Sequence, residues 1–371
     1  VISYLLPTHN RPDRLADTLK MLGELPDGPG GGHSDGEIIV VDNGSDPPAT
    51  VSPHLENGWP VILVRLEENH GTAARNMGAE HAQGEWIVML DDDSYPLDGG
   101  HVVVLNAAPD DVAAIGASII LPDGQRESGG LPEVFIGCGV AIRRKVFLEL
   151  GGYDSSFGYY AEEYDFCAKA IRAGWRIIHD FRFRVHHEKV KIGRNMNAIL
   201  HHLVRNNGWV WQRYAPPDLQ ESMIALTIER YARIAIKENA AEGYAHGVSE
   251  LLQTLSQQPL RPLNREQFDR LIGLTHVRNE FTSEDFISPG TTVALVASGK
   301  HDWVVRQAVE ELGAVIVNHP DDAEVVVVGS LSPGPMLDAF DQWEGRHPRI
   351  ICPWWVSGNR AASEGLVVPS P

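Results

Sequence analysis

Gly84-Glu85-Trp86-Ile87-Val88-Met89-Leu90-Asp91-Asp92-Asp93-Ser94-Tyr95-Pro96 is an apolar run that discharges directly into three carboxylates. Trp86 to Leu90 shows no polar alternation, the pattern of a strand covered on both faces in a parallel sheet, and Pro96 stops it. Ligands of open α/β sheets sit outside the carboxyl ends of the strands, which predicts a substrate near the acidic trio. Three adjacent carboxylates repel one another, and a divalent cation on oxygen ligands would relieve that repulsion. The competing reading is a solvated strand-end loop, since charge runs usually lie on the surface.

Working outward, Ile2 to Leu6, Glu37 to Val41 and Val61 to Leu66 read as three earlier strands, each ending in polar residues. Leu15, Leu19 and Leu22 fall at helical spacing after Asn10 and Pro12, with Asn10 as expected cap, and a helix of small residues spans Thr72 to Ala82. Gly28 to Gly36 is a glycine-rich loop. Together these predict four βα units in a doubly wound sheet, extended into a mixed sheet by strands at Ala113 to Leu121 and Val134 to Arg143. Trp175 to Ile178 and Phe183 to His186 read as two short strands. Residues 197 to 257 are helical in pattern, with a break at Pro216-Pro217, and Pro259 to Pro262 and Glu280 to Pro289 read as linkers. Beyond them, four short strands alternate with two helices, a small Rossmann-like unit whose first turn, Ala297-Ser298-Gly299-Lys300, lacks the dinucleotide fingerprint. The expected division is 1–213, 214–288 and 289–371.

At 371 residues the chain exceeds one comfortable core, and 43% hydrophobic with 22% charged residues is ordinary for a soluble globular protein. No apolar stretch is long enough to cross a bilayer and the start at Val1 lacks signal-peptide character, so the expectation is a cytoplasmic protein. Cys138, Cys167 and Cys352 are widely spaced in apolar contexts and read as core thiols. With 31 basic against 50 acidic residues, nucleic acid is disfavoured as a partner. Trp343, Trp354 and Trp355 supply more aromatic area than so small a C-terminal unit needs, so some should face the helical segment or a second subunit in a homodimer.

Pro7-Thr8-His9-Asn10-Arg11, Val41-Asp42-Asn43-Gly44-Ser45, Asn69-His70-Gly71 with Ala74-Arg75-Asn76, Leu90-Asp91-Asp92-Asp93 and Glu162-Glu163-Tyr164-Asp165 resemble, in order and spacing, the family 2 glycosyltransferases of the GT-A fold. With Arg205-Asn206-Asn207, the wording is most similar to the rhamnosyltransferase-type members. The resemblance covers residues 1 to 213. It implies a metal-dependent, inverting transfer from a nucleoside diphosphate sugar to a hydroxyl acceptor on a small molecule or glycan. Under it, Pro7, Thr8, Asn10, Asp42, Asn69 and Arg75 belong to the donor site: Asp42 at the base, Pro7 to Asn10 at base and ribose, Arg75 near the diphosphate. Asp93 becomes the metal ligand, with Asp91 and Asp92 contacting ribose or sugar or sharing the ion, and Mn²⁺ or Mg²⁺ bridging the diphosphate. His186 matches a third-ligand position, with His187 as its fallback. Glu163 stands where relatives carry the aspartate proposed as base, beside Glu162 and Asp165, and the aromatic loop Phe157 to Tyr160 is expected to close over the site.

Each role has a plainer alternative. Asp42-Asn43-Gly44 also suits a simple turn, Arg75 a solvated helix face, and the acids at 162, 163 and 165 a helix-dipole complement. Two other functions share the fold class. A sugar-phosphate nucleotidyltransferase would need a glycine-rich basic triphosphate loop, which Pro7 to Pro12 does not offer, and a non-catalytic sugar-nucleotide-binding protein would not need the acids.

Overall fold

The computed structural model describes residues 1–25, 36–127, 130–189, 195–283 and 286–354. The glycine-rich loop before Gly36 and Trp355 lie outside them.

The larger sheet is built from β1 (Ile2–Thr8), β2 (Gly36–Asn43), β3 (Val61–Leu66), β4 (Trp86–Met89), β5 (Ser94–Pro96), β6 (Val112–Ile120), β7 (Val140–Arg143) and β8 (Arg176–His187). Interleaved with them are α1 (Pro12–Gly23), α2 (Ala74–His81), α3 (Gly100–Asn106), α4 (Arg144–Glu149) and α5 (Glu162–Arg172). Strand order is β3-β2-β1-β4-β7-β6-β8-β5. The first four strands are parallel, and β7 runs antiparallel to both β4 and β6, so the sheet is mixed as expected. The decisive run behaves as its lack of alternation predicts. Ile87 and Met89 enter one core cluster and Trp86, Val88 and Leu90 the other, because successive side chains of a strand point to opposite faces. Burying such side chains contributes roughly 1.5–3 kcal/mol each, so both layers hold β4 in place.

Four differences from the sequence reading have local causes. The connection from β2 to β3 holds no helix, so the series of βα units is interrupted there. Asn10 does not cap α1: Arg11 occupies the N-cap, and Asn10 is left-handed at φ 55°, accepting from the Asp46 N–H at 2.8 Å. The strand expected from Val134 forms only from Val140. The two short strands after Trp175 are one strand, β8, bent at register shifts that interrupt its side-chain alternation.

Helices α6 (Met196–Tyr214), α7 (Gln220–Lys237), α8 (Ala241–Thr254), α9 (Arg265–Leu271) and α10 (Leu274–Thr282) follow. Glu280, read as linker, closes α10. The second sheet, β10-β9-β11-β12, is all parallel, from β9 (Thr292–Val296), β10 (Val315–Val317), β11 (Val325–Val328) and β12 (Ile350–Ile351), with α11 (Asp302–Glu311) and α12 (Pro333–Trp343). One hydrophobic cluster runs from the large sheet through α9 and α10 into this unit. Trp354 is part of that seam: a Cβ on Gly273 would lie 3.1 Å from its ring. Among the described residues, no helix is long and apolar enough to cross a membrane.

Candidate active site

Parallel register brings three strand ends together. Ile2 to Leu5 pair with Trp86 to Met89, and Thr8 pairs with Asp42, so Pro7 and Thr8 lie between the Asp42 turn and the acidic trio. The trio is not a solvated loop. Asp92 and Asp93 are buried, and Arg11 spans them, Nη1 to Asp92 Oδ1 and Nη2 to Asp93 Oδ2, each at 2.5 Å. Thr8 Oγ1 also donates to Asp92 at 2.8 Å. Asp91, the most exposed of the three, is held by Arg75, whose own Nε is buried without a partner. Arg75 is therefore not on a solvated helix face. Burial pushes the Asp92 carboxyl up to about 6 despite Arg11 and Thr8, whereas at Asp93 burial is outweighed by His187 and Arg11, which hold it below its ordinary value.

Adjacent residues on a strand face opposite ways, so only one of the two histidines ending β8 can reach the trio. It is His187. Its Nε2 lies 3.5 Å from Asp93 Oδ1, and its Nδ1 bonds Glu127 and lies 3.5 Å from Cys138 Sγ. His186 instead bonds Glu188 at 2.9 Å and packs on Tyr95. The geometry moves the candidate ligand from His186 to its fallback. Burial opposes a charge on His187, but its hydrogen bonds to Asp93, Cys138 and Glu127 raise its pKa to about 12. Donor atoms of Asp91, Cys138 and His187 lie within 4.8 Å of one another. Carboxylate oxygens are the donors that suit Mn²⁺ or Mg²⁺, and His187, charged while it bonds Asp93 and Glu127, would have to give up a proton to join them.

Across the cavity, Glu162 and Glu163 open α5. Both are raised by burial, Glu162 further by the charge of Glu163, and Glu162 Oε2 has no hydrogen-bond partner. A helix-dipole role alone would not bury an unpaired carboxylate oxygen. Glu163 Oε1 accepts from the Gly137 N–H at 3.3 Å. Asp165, a catalytic candidate in the sequence, belongs elsewhere: it is buried among Arg213 (2.9 Å), Tyr214 (2.8 Å) and Lys169 (3.0 Å) and anchors α5.

One cavity of about 750 Å³ connects these groups. Of the sequence candidates, Pro7, Thr8, Arg75, Asp91, Asp92, Glu162 and Glu163 line it; Asn10, Asp42, Asn69, Asp93, Asp165 and His186 do not. Asp42 takes backbone N–H groups of Ser45 (3.0 Å) and Ala49 (2.9 Å), the geometry of the turn reading. Asn69 accepts from Asn43, from the Gly71 N–H and from Tyr159, organising the loops rather than facing the cavity. His9 falls within the segment Pro7 to Asn10 assigned to base and ribose; residues that sequence reasoning did not assign include Arg11 and Asn43, inside motifs quoted above, and Lys300 and His301, for which no sequence signal exists.

The loop before α5 is clamped rather than free to close. Phe157 is fully buried against Trp209. Asn206 Nδ2 reaches the carbonyls of Phe157 (3.0 Å), Tyr159 (2.8 Å) and Tyr160 (2.7 Å), and Arg205 donates to Phe157 O at 3.1 Å. Tyr160 and Ala161 are left-handed at φ 70° and 66°, a conformation that costs roughly 1–2 kcal/mol per residue and that the clamp holds. It turns the chain so that α5 begins with both glutamates at the cavity.

Residues 3–157 match the family described as Glycosyl transferase family 2. This segment, which carries the strand-end motifs, is similar to the family 2 glycosyltransferases. It is 25% identical over 203 residues to an uncharacterized glycosyltransferase of Haemophilus influenzae, covering 46% of this chain and 62% of that one. It is 26% identical over 240 residues to the O-antigen biosynthesis protein RfbC of Myxococcus xanthus, covering 53% and 18%. The chain thus spans less than two thirds of the length of these curated relatives. Among solved structures, a mannosyltransferase from Pyrobaculum calidifontis in complex with GDP-Man and Mn²⁺ is similar over 73% of this chain and 83% of that one, at 17% identity and a TM-score of 0.44.

Proposed function

We propose that the chain is a metal-dependent, inverting glycosyltransferase that moves a sugar from a nucleoside diphosphate donor to a hydroxyl acceptor. The observation that carries this reading is the pair of glutamates, Glu162 buried and Glu163 half-buried, facing across one cavity a strand-end group of carboxylates and arginines. The donor end comprises Thr8, His9 and Asn43 around the nucleoside and Arg75 and Arg11 for the diphosphate charge. Asp91, Asp93 and His187 would hold Mn²⁺ or Mg²⁺, whose contribution when bound is to neutralise charge on the departing diphosphate.

In the transfer, the acceptor oxygen attacks the anomeric carbon, the bond from that carbon to the diphosphate oxygen breaks with its electron pair, and the acceptor proton passes to Glu163. A base raised above the ordinary carboxylate range takes that proton better, provided it is ionised first. Arg75 on the donor side acts on both glutamates, and Glu163 acts also on Lys300 at the opposite side of the cavity. That polarity supports Glu163 as base and Glu162 as the partner that keeps the shared proton.

The test is release of nucleoside diphosphate from a panel of UDP-, GDP- and dTDP-sugars with Mn²⁺, Mg²⁺ or chelator. Metal-dependent release that Asp91→Asn abolishes is expected. Pyrophosphate release from a nucleoside triphosphate and a sugar phosphate, with no turnover of any sugar nucleotide, would overturn the reading.

A further inference from the structure

The cavity reaches past the glutamates to residues 300 and 301, which belong to the four-stranded sheet rather than to the segment that matches family 2. In that sheet the order β10-β9-β11-β12 reverses direction between β9 and β11: the chain leaves β9 for β10 on one side and β11 for β12 on the other. Ligands of open parallel sheets bind outside the carboxyl ends of the strands, at such a reversal. Here the carboxyl end of β9 is the turn 297–301 and that of β11 is Gly329-Ser330-Leu331. The Leu331 N–H donates to Lys300 O at 2.9 Å and ties the two together. Both sheets of the protein therefore aim strand ends at one cavity.

His301 stands where the second sheet meets that cavity. It is left-handed at φ 65°, is 7% exposed, and lies edge-on to Trp354 with 6.3 Å between ring centres. Its Nδ1 is buried with no hydrogen-bond partner. A left-handed backbone and an unsatisfied polar atom each cost free energy, and such costs cluster at ligand sites. Burial holds the imidazole well below its ordinary pKa, so the neutral ring offers one donor and one acceptor.

The rest of the wall sets the ligand class. Tyr164, Trp211 and Tyr231 bring aromatic rings to it, and Asn207 lines it with its amide nitrogen 3.2 Å from Tyr231 Oη. An alkyl chain would leave the imidazole, the amide and the phenol facing apolar matter, an unfavourable match. An anion at the crevice would meet Asp302, in the first turn of α11 and 3.3 Å from where a Cβ on Gly329 would lie. A neutral sugar suits both constraints: its ring faces are apolar enough for the aromatic rings, and its hydroxyls donate and accept.

We propose that the strand-end crevice of the C-terminal unit is part of the acceptor subsite, that His301 hydrogen-bonds a hydroxyl of the acceptor, and that the acceptor is a neutral sugar residue. This deepens the glycosyltransferase reading above and rests on it. The family 2 segment then supplies the donor half of the cavity, and the C-terminal unit the selectivity for what is glycosylated.

The test uses the full chain and five sugars, glucose, galactose, mannose, rhamnose and N-acetylglucosamine, each as methyl glycoside, 1-phosphate and dodecyl glycoside. Titration calorimetry reads binding without turnover, so failure here leaves the donor assay standing, and the reverse. Expected is saturable binding of at least one methyl glycoside that neither the phosphate nor the alkyl chain improves by as much as about tenfold. His301→Gly should weaken it about tenfold, the scale of one lost hydrogen bond, and His301→Asn should keep most of it. Glycine and asparagine both accept the left-handed backbone, so the comparison isolates the polar group from the strain. Tyr164→Leu, on α5, carries the same expected loss if His301→Gly does not fold by circular dichroism. Absence of binding by every methyl glycoside, preference of about tenfold or more for the phosphates or the dodecyl forms, equal loss in His301→Asn and His301→Gly, or unchanged affinity in the folded variants would overturn the proposal.

Discussion

Asn206→Leu separates the loop clamp from the chemistry it serves. Asn206 is fully buried, and its amide nitrogen lies within 3.0 Å of three carbonyls, at Phe157, Tyr159 and Tyr160. Two hydrogens serve at most two of these well at once. Leucine keeps the volume and removes every bond. Phe157 O retains Arg205 Nη2, but Arg205 Nε loses Asn206 Oδ1 at 2.9 Å, and the Tyr159 and Tyr160 carbonyls turn to water. At about 1 kcal/mol for each of roughly three lost bonds, the cost is about 3 kcal/mol. For a unit of this size that is roughly 6–12 °C in Tm.

The catalytic consequence is separate. The left-handed Tyr160-Ala161 step aims α5, and Glu162 and Glu163 are its first two residues. A misplacement of about 1 Å there should lower kcat roughly 100-fold at temperatures where circular dichroism shows the variant folded. Nucleoside diphosphate release is the assay, with nucleotide binding by calorimetry as control. A fall in Tm with undiminished kcat would refute the reasoning, because the clamp would then stabilise the loop without positioning the acids.

Glu163→Gln should bind nucleotide normally and lose about 100-fold or more in transfer, the usual contribution of a positioned base; transfer assays in parallel with Glu162→Gln check the assignment between the two. Asp165→Asn should instead lower stability by about 3–5 kcal/mol, the cost of breaking a buried ion pair, with activity per folded molecule largely kept; denaturant titration and active-site counting distinguish the cases. His101 is buried beneath Tyr4, whose hydroxyl meets its Nε2 at 2.7 Å, and burial lowers its pKa to about 4. Between about 6.5 and 4 the unfolded chain binds a proton there that the native chain refuses, so native stability falls as pH falls. Its share is about 2 kcal/mol from pH 7 to pH 5, and His101→Phe should flatten that part of the stability profile in urea titrations.

What could be read from the sequence was whatever depends on local pattern. Trp86 to Leu90 has the run length and flanks of a doubly covered strand, and it is one; the same holds for the helices whose leucines recur at helical spacing. The choice between His186 and His187 needed the phase of β8, and the register shifts after Val112 and Ala117 of its partner strand break the simple alternation from which phase is inferred. Asp165 and Glu163 are two positions apart on one helix, about 200° around its axis, so one faces the cavity and the other the Arg213 network. Chemistry alone did not say which. Asp42 shows a mixed case: turn chemistry accounts for the oxygen that takes the Ser45 N–H, while the other takes the Ala49 N–H and faces Arg65, which the local pattern does not give.

A divalent cation would relieve the repulsion within the acidic trio, and the structure adds a second solution. Arg11 and Arg75 pair with all three carboxylates and offset two of their charges, from positions that the motifs contained but that repulsion among neighbours in sequence does not reveal. A metal ion at the carboxylates therefore competes with guanidinium groups, and a diphosphate, which both arginines can also bind, gives them an alternative partner. Ion and donor should for that reason bind with mutual reinforcement: each relieves the charge the other leaves exposed.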